Sequence, residues 1–527
     1  MVGAGTAGCV LATRLSASGN HRVLLLEAGG EANHWWMKIP VAYGRLLGNP
    51  QYNWMYRTQP EPALDGRVLD VPCGRVVGGT GSINGMIHIH GHAADYDAWR
   101  DAGNDGWGYD DVLPWFRRAE LNSRGANTFH GADGPMPVTD PPDRHPLADA
   151  FVNAAIEAGH PRNDDFNGAQ QEGAGYYQIN TRRGVRASTA TAFLAPARRR
   201  ANLTVLTHAN ATRLLVDGQR AHGVEFRHGG ALVRATAACE VVLAAGTFNT
   251  PLLLQRSGIG AAAQLEALQI PVTAHLPGVG SNLQNHYRAS VVVRCRESVT
   301  LNDAMRSVAG RLRIGLQYVV ARRGPLATGI YAGGFFRSAS HVERPDIQVT
   351  FWTYSVAHRG ARGLVLHSFP AFTANVVLLR PQSRGSVNAA SADPDAPPVI
   401  VYRHLTAEYD RHTLVAGVQR VREILKMPSL ARYAGEEIAP GITCRSDEDL
   451  AAFTRQAGNS VYHPVGTCRM GHDTMAVVDP QLRVHGIAGL RVADASVMPM
   501  IVSGNTNAPT LMIAERAADW MLRDARA

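Results

Sequence analysis

With 527 residues, 45% of them apolar and 18% charged, the chain has the make-up of a soluble globular protein of two domains, or of one large domain with a second woven into it. No apolar run reaches the roughly 18 residues of a membrane span, the longest candidate (Gly363 to Leu379) being broken by His367, Ser368, Pro370 and Asn375. The formal charge of +8 comes from fifty arginines and two lysines scattered along the whole chain, which argues against a nucleic-acid patch, and the start carries no signal peptide. Six cysteines (Cys9, Cys73, Cys239, Cys295, Cys444, Cys468) lie far apart without a CxxC pair, against a disulfide framework or structural zinc and in keeping with a reducing cytoplasm.

The chain opens on a phosphate cradle, Gly3-Ala4-Gly5-Thr6-Ala7-Gly8. Gly3 makes the tight turn, Gly5 lets backbone approach a pyrophosphate, and Gly8 lets a helix lie close on a strand. Ala7, Val10, Leu11 and Leu15 give that helix an apolar face, and Asn20 is expected to end it. Val23 to Leu26 reads as a buried parallel strand, closed by Glu27 nineteen residues after Gly8, where an acid can hold a ribose hydroxyl. Only Met1 and Val2 precede the cradle, so the central strand of such a sheet is nearly absent. Either the true start lies upstream or a neighbouring segment fills the gap.

A second glycine-rich stretch follows at Gly74 to Met86, with five glycines and with Ser82 and Asn84 as polar groups beside a ligand; a plain flexible loop is the alternative. Helices are expected over Trp107 to Glu120 and Ala148 to Ala158, a linker over Pro135 to Pro146, and a loop-rich excursion over Asp164 to Gln178. Asn202 to Leu206 and Gly223 to Phe226 read as strands, and Glu240 to Gly246 as a buried parallel strand ending in glycine. Thr250-Pro251 is expected to open a helix with proline in its first turn. Beyond Tyr287 the strands Val291 to Cys295, Asp346 to Trp352 and Val376 to Leu379 suggest an antiparallel sheet and a second domain. Leu490 to Asp494 returns to the first pattern, so the second domain is inserted and a ligand sits between the two.

Three clusters bear on chemistry. Tyr462-His463-Pro464 begins a Gly-rich loop in which His463 suits a general base, the alternative being a core histidine bonded to backbone. Ser503 to Thr510 holds Asn505, Thr506 and Asn507 at the start of an amphipathic helix, either as an ordinary cap or facing a cofactor that becomes negative. His88, His90 and His92 share one face if extended, near Asp95; with no matching second cluster, and with the spacing of His463, Cys468 and His472 fitting no zinc pattern, no metal is assigned.

Together the cradle with Glu27-Ala28-Gly29, the Gly74 to Met86 signature, Ala245 to Gly260, Pro277 to Leu283, and the segments around His463 and Asn505 resemble the glucose–methanol–choline (GMC) oxidoreductase family over essentially the full chain. Asp97-Ala98-Trp99, Gly106-Trp107-Gly108 and Asn505-Thr506-Asn507 resemble its bacterial choline, aliphatic-alcohol and sorbose dehydrogenase branch. The resemblance implies an α/β fold, α+β overall: a Rossmann-like FAD domain (1–140, 195–286 and 462–527) interwoven with a substrate domain on an antiparallel sheet (141–194 and 287–461). It implies oxidation of a small-molecule alcohol to an aldehyde or ketone, with His463 taking the hydroxyl proton as hydride passes to flavin N5 and Asn505 holding the alcohol oxygen. Around FAD it implies Gly3, Gly5, Thr6, Ala7, Gly8, Glu27, Ala28, Arg75, Val77, Gly78, Gly79, Thr80, Asn84, Gly85, Met86, Ile87, Ala211, Tyr462, Asp494, Ala495, Thr506 and Asn507.

Ile83 stands where some choline-oxidising relatives carry a histidine bonded to the flavin, so FAD is expected to be non-covalent. His90 replaces a frequent arginine, and Asn285-His286 a usual acid–His pair. Oxygen or a quinone-type compound is the expected acceptor, and the cytoplasm the expected location, with peripheral contact at the inner membrane as a further option. A hydroxynitrile lyase-like activity that holds FAD without net oxidation, and a nicotinamide dehydrogenase resting on the cradle alone, are the competing readings.

Overall fold

Short apolar strands, buried on both faces, form the centre of the N-terminal core in a computed structural model that describes residues 1–360 and 363–525. Val23–Leu26 runs parallel to Leu203–Leu206, in register from Val23 opposite Leu203 to Leu26 opposite Leu206. Val241–Leu243 runs parallel to Leu490–Val492. Val2 joins the two pairs, bridging Leu26 on one side and Leu243 on the other. Its N–H donates to the Val242 carbonyl at 2.9 Å and its carbonyl accepts from Ala244 N at 2.8 Å. Val2 therefore occupies the central place, and among the described residues no other segment takes it.

The cradle helix spans Thr6–Leu15 and stops before Asn20; the Ser16 hydroxyl donates to the Ala12 carbonyl at 2.7 Å, and the Ala17 N–H turns to the Arg14 carbonyl at 3.2 Å, a tighter bond that closes the last turn. It lies beside the last helix, Asn507–Asp524. Arg14 clamps the two through a bidentate pair with Glu515, whose side chain is fully buried, at 2.6–3.0 Å. Arg14 is about one-fifth exposed, so the cost of Glu515→Ala falls below that of breaking a fully buried pair. A loss of about 2–3 kcal/mol is expected, read as an earlier denaturant midpoint of the flavin-loaded protein.

Gly246–Arg256 becomes helical directly after its strand, so Pro251 sits inside the helix and not in its first turn. Proline has no N–H for the Thr247 carbonyl one turn back; that carbonyl instead accepts the Thr467 hydroxyl at 2.6 Å. The expected linker likewise contains structure: Met136–Val138 pairs parallel to Glu120–Asn122, and Pro146 opens the helix Pro146–Glu157.

The second core lies under an antiparallel sheet ordered Ala434–Ala439, Tyr287–Cys295, Ala371–Leu378, Ile347–Trp352, Ala332–Phe336 and Gly173–Tyr176. Helices Pro146–Glu157 and Glu408–Leu425 cover one face, where Phe151 stacks on Phe351 at 4.7 Å. The edge strand Gly173–Tyr176 falls in the stretch expected to be loop-rich. Its glycines carry no β-strand signal; a Cβ on Gly175 would stand 1.8 Å from the Asn163 carbonyl, so close packing demands glycine there.

Candidate active site

A chamber of about 890 Å³ opens at the carboxyl ends of the parallel strands, near the upper end of the ~300–1,000 Å³ usual for ligand clefts. Leu26, Glu27 and Ala28 leave one strand into its wall, Ala244 to Gly246 a second, and Asp494 and Ala495 a third. Two helix starts meet there: Gly5, Thr6 and Ala7 from one, Thr506 and Asn507 from the other, joined by the Thr6 hydroxyl donating to Asn507 Oδ1 at 2.8 Å. No side chain caps either start, so unpaired N–H groups and two positive dipole ends face the same space.

The glycines fit a dinucleotide. A Cβ on Gly3 would meet the Ala244 carbonyl oxygen at 2.4 Å, and one on Gly8 the Gly3 carbonyl oxygen at 1.9 Å. The nearest atom to a Cβ on Gly5 is 3.9 Å away, so that backbone is open to an approaching phosphate. Glu27 accepts from Ala4 N at 3.0 Å and Gly29 N at 2.8 Å, and burial pushes its carboxyl up to about 7 against those two bonds. Asp494 accepts from Gly246 N, the Thr250 hydroxyl and Ser496 N at 2.7–2.8 Å, which fixes the second wall.

At the other end stands His463. Its N–H donates to Asn285 Oδ1 at 2.8 Å. Its Nδ1 lies 3.0 Å from His286 Nδ1, and its Nε2 lies 3.1 Å from Asn505 Nδ2. The partners decide the protons. His286 Nε2 lies 2.9 Å from the Leu379 carbonyl, which only accepts, so that nitrogen carries hydrogen and neutral His286 accepts at Nδ1. His463 then donates from Nδ1 and leaves Nε2 unprotonated, its lone pair turned to the Asn505 side chain. Asn505 agrees, since its Oδ1 accepts from Gln348 Nε2 at 3.4 Å and its NH2 therefore points at His463. Burial, then the neighbouring His286, holds the His463 imidazole well below the ordinary histidine range; burial takes His286 down to about 4 against its backbone hydrogen bonds to Leu379 and Val502. Both imidazoles are thereby held toward the neutral form.

Tyr43, Ile330, Thr350, Trp352 and Arg288 also line the chamber. Arg288 stands two residues beyond His286, lies over the Trp352 ring at 5.1 Å and donates to Ser290 Oγ at 3.0 Å and to Asn375. Of the three aromatics on or just after the strand Ile347–Trp352, Trp352 reaches the chamber, Phe351 is core, and Tyr354 is buried with its hydroxyl 2.8 Å from that of Tyr43.

Nearly all the candidates from sequence line the chamber: Gly3, Gly5, Thr6, Ala7, Glu27, Ala28, Arg75, Gly79, Thr80, Asn84, Gly85, Met86, Ile87, Ala211, Tyr462, His463, Asp494, Ala495, Asn505, Thr506 and Asn507. Gly8, Val77 and Gly78 do not; Gly8 packs behind the turn, and Gly78 donates its N–H to the Ala4 carbonyl at 2.6 Å, holding the two glycine stretches together. Arg288 was missed, although its spacing of two from His286 along a strand puts both side chains on one face.

The histidine run folds elsewhere. His88 and His90 donate to the buried Glu120 at 2.9 and 2.6 Å, His130 bridges Glu120 and Asp165 at 2.9 Å each, and His92 caps the helix Ala93–Asp101. Ligand atoms of His88, His90 and Glu120 lie within 4.8 Å of one another, a grouping that could hold a metal ion. Burial works against a charged His130, but its bonds to Asp165 and Glu120 prevail and raise it to about 9, so this network carries its own counter-charge. Cys468 is buried among Ser496 and Thr467, and His463 is engaged with His286 and Asn505.

Comparison with known proteins assigns this architecture. The descriptions of the N- and C-terminal parts of GMC oxidoreductases match residues 1–288 and 381–514. The chain is 43% identical over 523 residues to the oxygen-dependent choline dehydrogenase of Burkholderia ambifaria (98% of this chain, 92% of that protein). It is 42% identical to the protein of the same name from Photobacterium profundum (99% and 92%). It superposes on pyridoxine 4-oxidase from Mesorbium loti with a TM-score of 0.90, 31% identity, and 99% and 98% of the two chains covered. A fungal aryl-alcohol oxidase gives 0.86, 26%, and 100% and 98%. The chain belongs to the GMC oxidoreductase family, as an FAD-dependent enzyme that oxidises an alcohol.

Proposed function

We propose that His463 is the general base of this oxidation and that the substrate is a neutral or anionic alcohol. The alcohol hydroxyl takes the place of the Asn505 NH2 at the unprotonated His463 Nε2, and the proton moves there as the carbonyl forms. Asn505 donates to the same region and holds the alcohol oxygen against the base. When bound, the flavin supplies the two-electron acceptor for the alcohol carbon. Gly3 to Ala7, Glu27, Ala28 and Ala211 would hold its adenosine and pyrophosphate, and Gly79 to Met86, Tyr462, Asp494, Ala495 and the Thr506–Asn507 helix start its ring and ribityl chain. Ile83, buried and without a nucleophilic atom, supports non-covalent FAD. We also propose the two-part division at 1–140, 195–286 and 462–527 against 141–194 and 287–461, supported by the separate cores beneath the parallel and antiparallel sheets.

The observation that carries the substrate class is Arg288. The choline of the named relatives is a permanent cation, and its recognition calls for aromatic faces and negative charge. Here an arginine covers the face of Trp352 in the wall beyond the base, and an arginine cannot discharge. The acids in the lining, Glu27, Asp494 and Asp395, belong to the strand ends and to the loop Pro394–Pro398. Neutral primary alcohols and hydroxy acids should therefore outrun choline in kcat/KM by about ten-fold or more. A panel of these alcohols with matched carbon number checks this; choline as the best substrate defeats the proposal. Cyanohydrin cleavage is not favoured, the relatives reported above being named as dehydrogenases and oxidases.

Oxygen and a quinone-type compound are the acceptors we propose, the relatives' name being oxygen-dependent. Six unpaired cysteines support a reducing cytoplasm as the setting, and the cationic face described next supports peripheral contact with a membrane.

A further inference from the structure

The helix Val308–Ala321 rests on the rest of the protein through two buried side chains, Ile314 and Tyr318. On its far side Val308, Leu312, Leu316, Val319 and Val320 are 63–75% exposed, with Met305 just before it at 38%. At about 3.6 residues per turn the five on the helix form one stripe, opposite Ile314 and Tyr318. Arg311 and Arg313 fall on its two borders. Arg306 precedes it, and Arg322 and Arg323 follow it. No Asp or Glu occurs between Asp303 and Glu343. Among the described residues no ion pair engages Arg306, Arg311, Arg313 or Arg323; the acid that reaches this end, Asp143, accepts the Gly324 N–H at 2.5 Å.

The patch continues beyond the helix. The Tyr318 hydroxyl donates to the carbonyls of Gly184 and Lys38, at 3.0 and 3.4 Å. Lys38 is one of the two lysines of the chain and is exposed, as is Trp35 (54%) one turn earlier. An exposed apolar stripe of this length, bordered by arginines on both sides and accompanied by an exposed tryptophan, matches the surface of an anionic bilayer. Apolar side chains enter the acyl boundary, guanidinium groups reach the headgroup phosphates along their own aliphatic stems, and the indole sits at the interface. A second copy of the chain would bring five arginines against five arginines around a two-fold axis, which disfavours it as the occupant.

We propose that Val308–Ala321 is a monotopic membrane-docking helix that seats the enzyme on anionic phospholipid. This deepens the peripheral setting proposed above without depending on the acceptor or on the alcohol. Beyond the helix the chain runs through Gly324 to Ile330, which lines the chamber, so docking places the lipid close to the catalytic space.

Flotation of the flavin-loaded enzyme with vesicles tests it, comparing phosphatidylcholine alone with phosphatidylcholine containing roughly one part in three of phosphatidylglycerol. The anionic vesicles should carry at least about ten-fold more enzyme, and salt should weaken the binding. Leu312→Glu with Leu316→Glu should abolish flotation, and Arg311→Gln with Arg313→Gln should lower it by about ten-fold or more, each with flavin content and alcohol turnover in detergent-free buffer unchanged. Wild-type enzyme that stays unbound on anionic vesicles overturns the proposal, as does a double glutamate variant that floats like wild type. A wild-type dimer that the glutamates convert to monomer, without any vesicle binding, assigns the face to a second copy and overturns it equally. Loss of activity on alcohols with flotation intact would count against the catalytic reading alone.

Discussion

Replacing His463 by Ala is expected to slow alcohol-driven bleaching of the bound flavin by about a hundred-fold or more, while the protein keeps its flavin. The effect is large because the whole arrangement delivers one lone pair. Leu379 O fixes the His286 tautomer, His286 takes the Nδ1 proton of His463, and Gln348 orients Asn505 toward Nε2. Alanine leaves the alcohol proton without an acceptor and frees Asn505 from its partner. The same chain dictates the pH profile. The base is active when neutral, and burial together with His286 keeps its folded value well below the histidine norm. Its protonation, and with it the fall in kcat/KM, therefore comes on the acid side of the ordinary value of about 6.5. A limb at or above that value contradicts the assignment, as does a variant retaining most of the wild-type rate.

Gly8→Ala is expected to leave the protein nearly free of flavin and to destabilise it by about 3 kcal/mol or more. The added Cβ would stand 1.9 Å from the Gly3 carbonyl oxygen, and both groups are backbone, so the cradle helix must lift off its turn. Gly5→Ala separates stability from binding. Nothing lies closer than 3.9 Å to its Cβ, so the fold should hold, while the methyl stands where phosphate must approach and weakens flavin binding by at least about ten-fold. Flavin content of the purified proteins and their urea midpoints check both. A Gly8→Ala protein with full flavin content would mean that the close packing of helix, turn and strand is not what shapes the site.

The legible parts of this chain are those in which backbone geometry restricts residue type. Glycine at Gly3 and Gly8 is demanded by neighbouring carbonyls, and the period-one apolar runs Val23–Leu26, Val241–Leu243 and Leu490–Val492 mark strands buried on both faces. Segments whose conformation is set by a distant partner were not legible. Gly173–Tyr176 is a strand because Ala332–Phe336 and the Pro161–Asn163 backbone close on its glycines. The helix at Gly246 tolerates Pro251 because Thr467, more than two hundred residues later, takes the orphaned carbonyl. His88 and His90 look like ligands in sequence, and only the fold brings Glu120 between them. Val2 could not be recognised as a central strand, since one residue has no periodicity.

At the site the limit was different. His463 and Asn505 stand out by their loops, but the tautomer that makes Nε2 basic depends on the Leu379 carbonyl, which any residue could supply. Arg288 gave no local signal beyond its spacing from His286, and its weight comes from Trp352 beneath it and the chamber in front. The arginines, scattered along the whole chain in sequence, also conceal an organised face, since only the fold shows Arg311 and Arg313 bordering an exposed apolar stripe.

The central claim is that one chamber brings a neutral His463 and a bound flavin to the same alcohol. Anaerobic mixing of the purified, flavin-loaded protein with a neutral primary alcohol, followed in the visible spectrum, addresses it directly. The flavin bands of the wild type should bleach fully, and those of the His463→Ala protein should scarcely change on the same timescale. A wild-type flavin that no alcohol bleaches, or one that bleaches equally fast in both proteins, would contradict it.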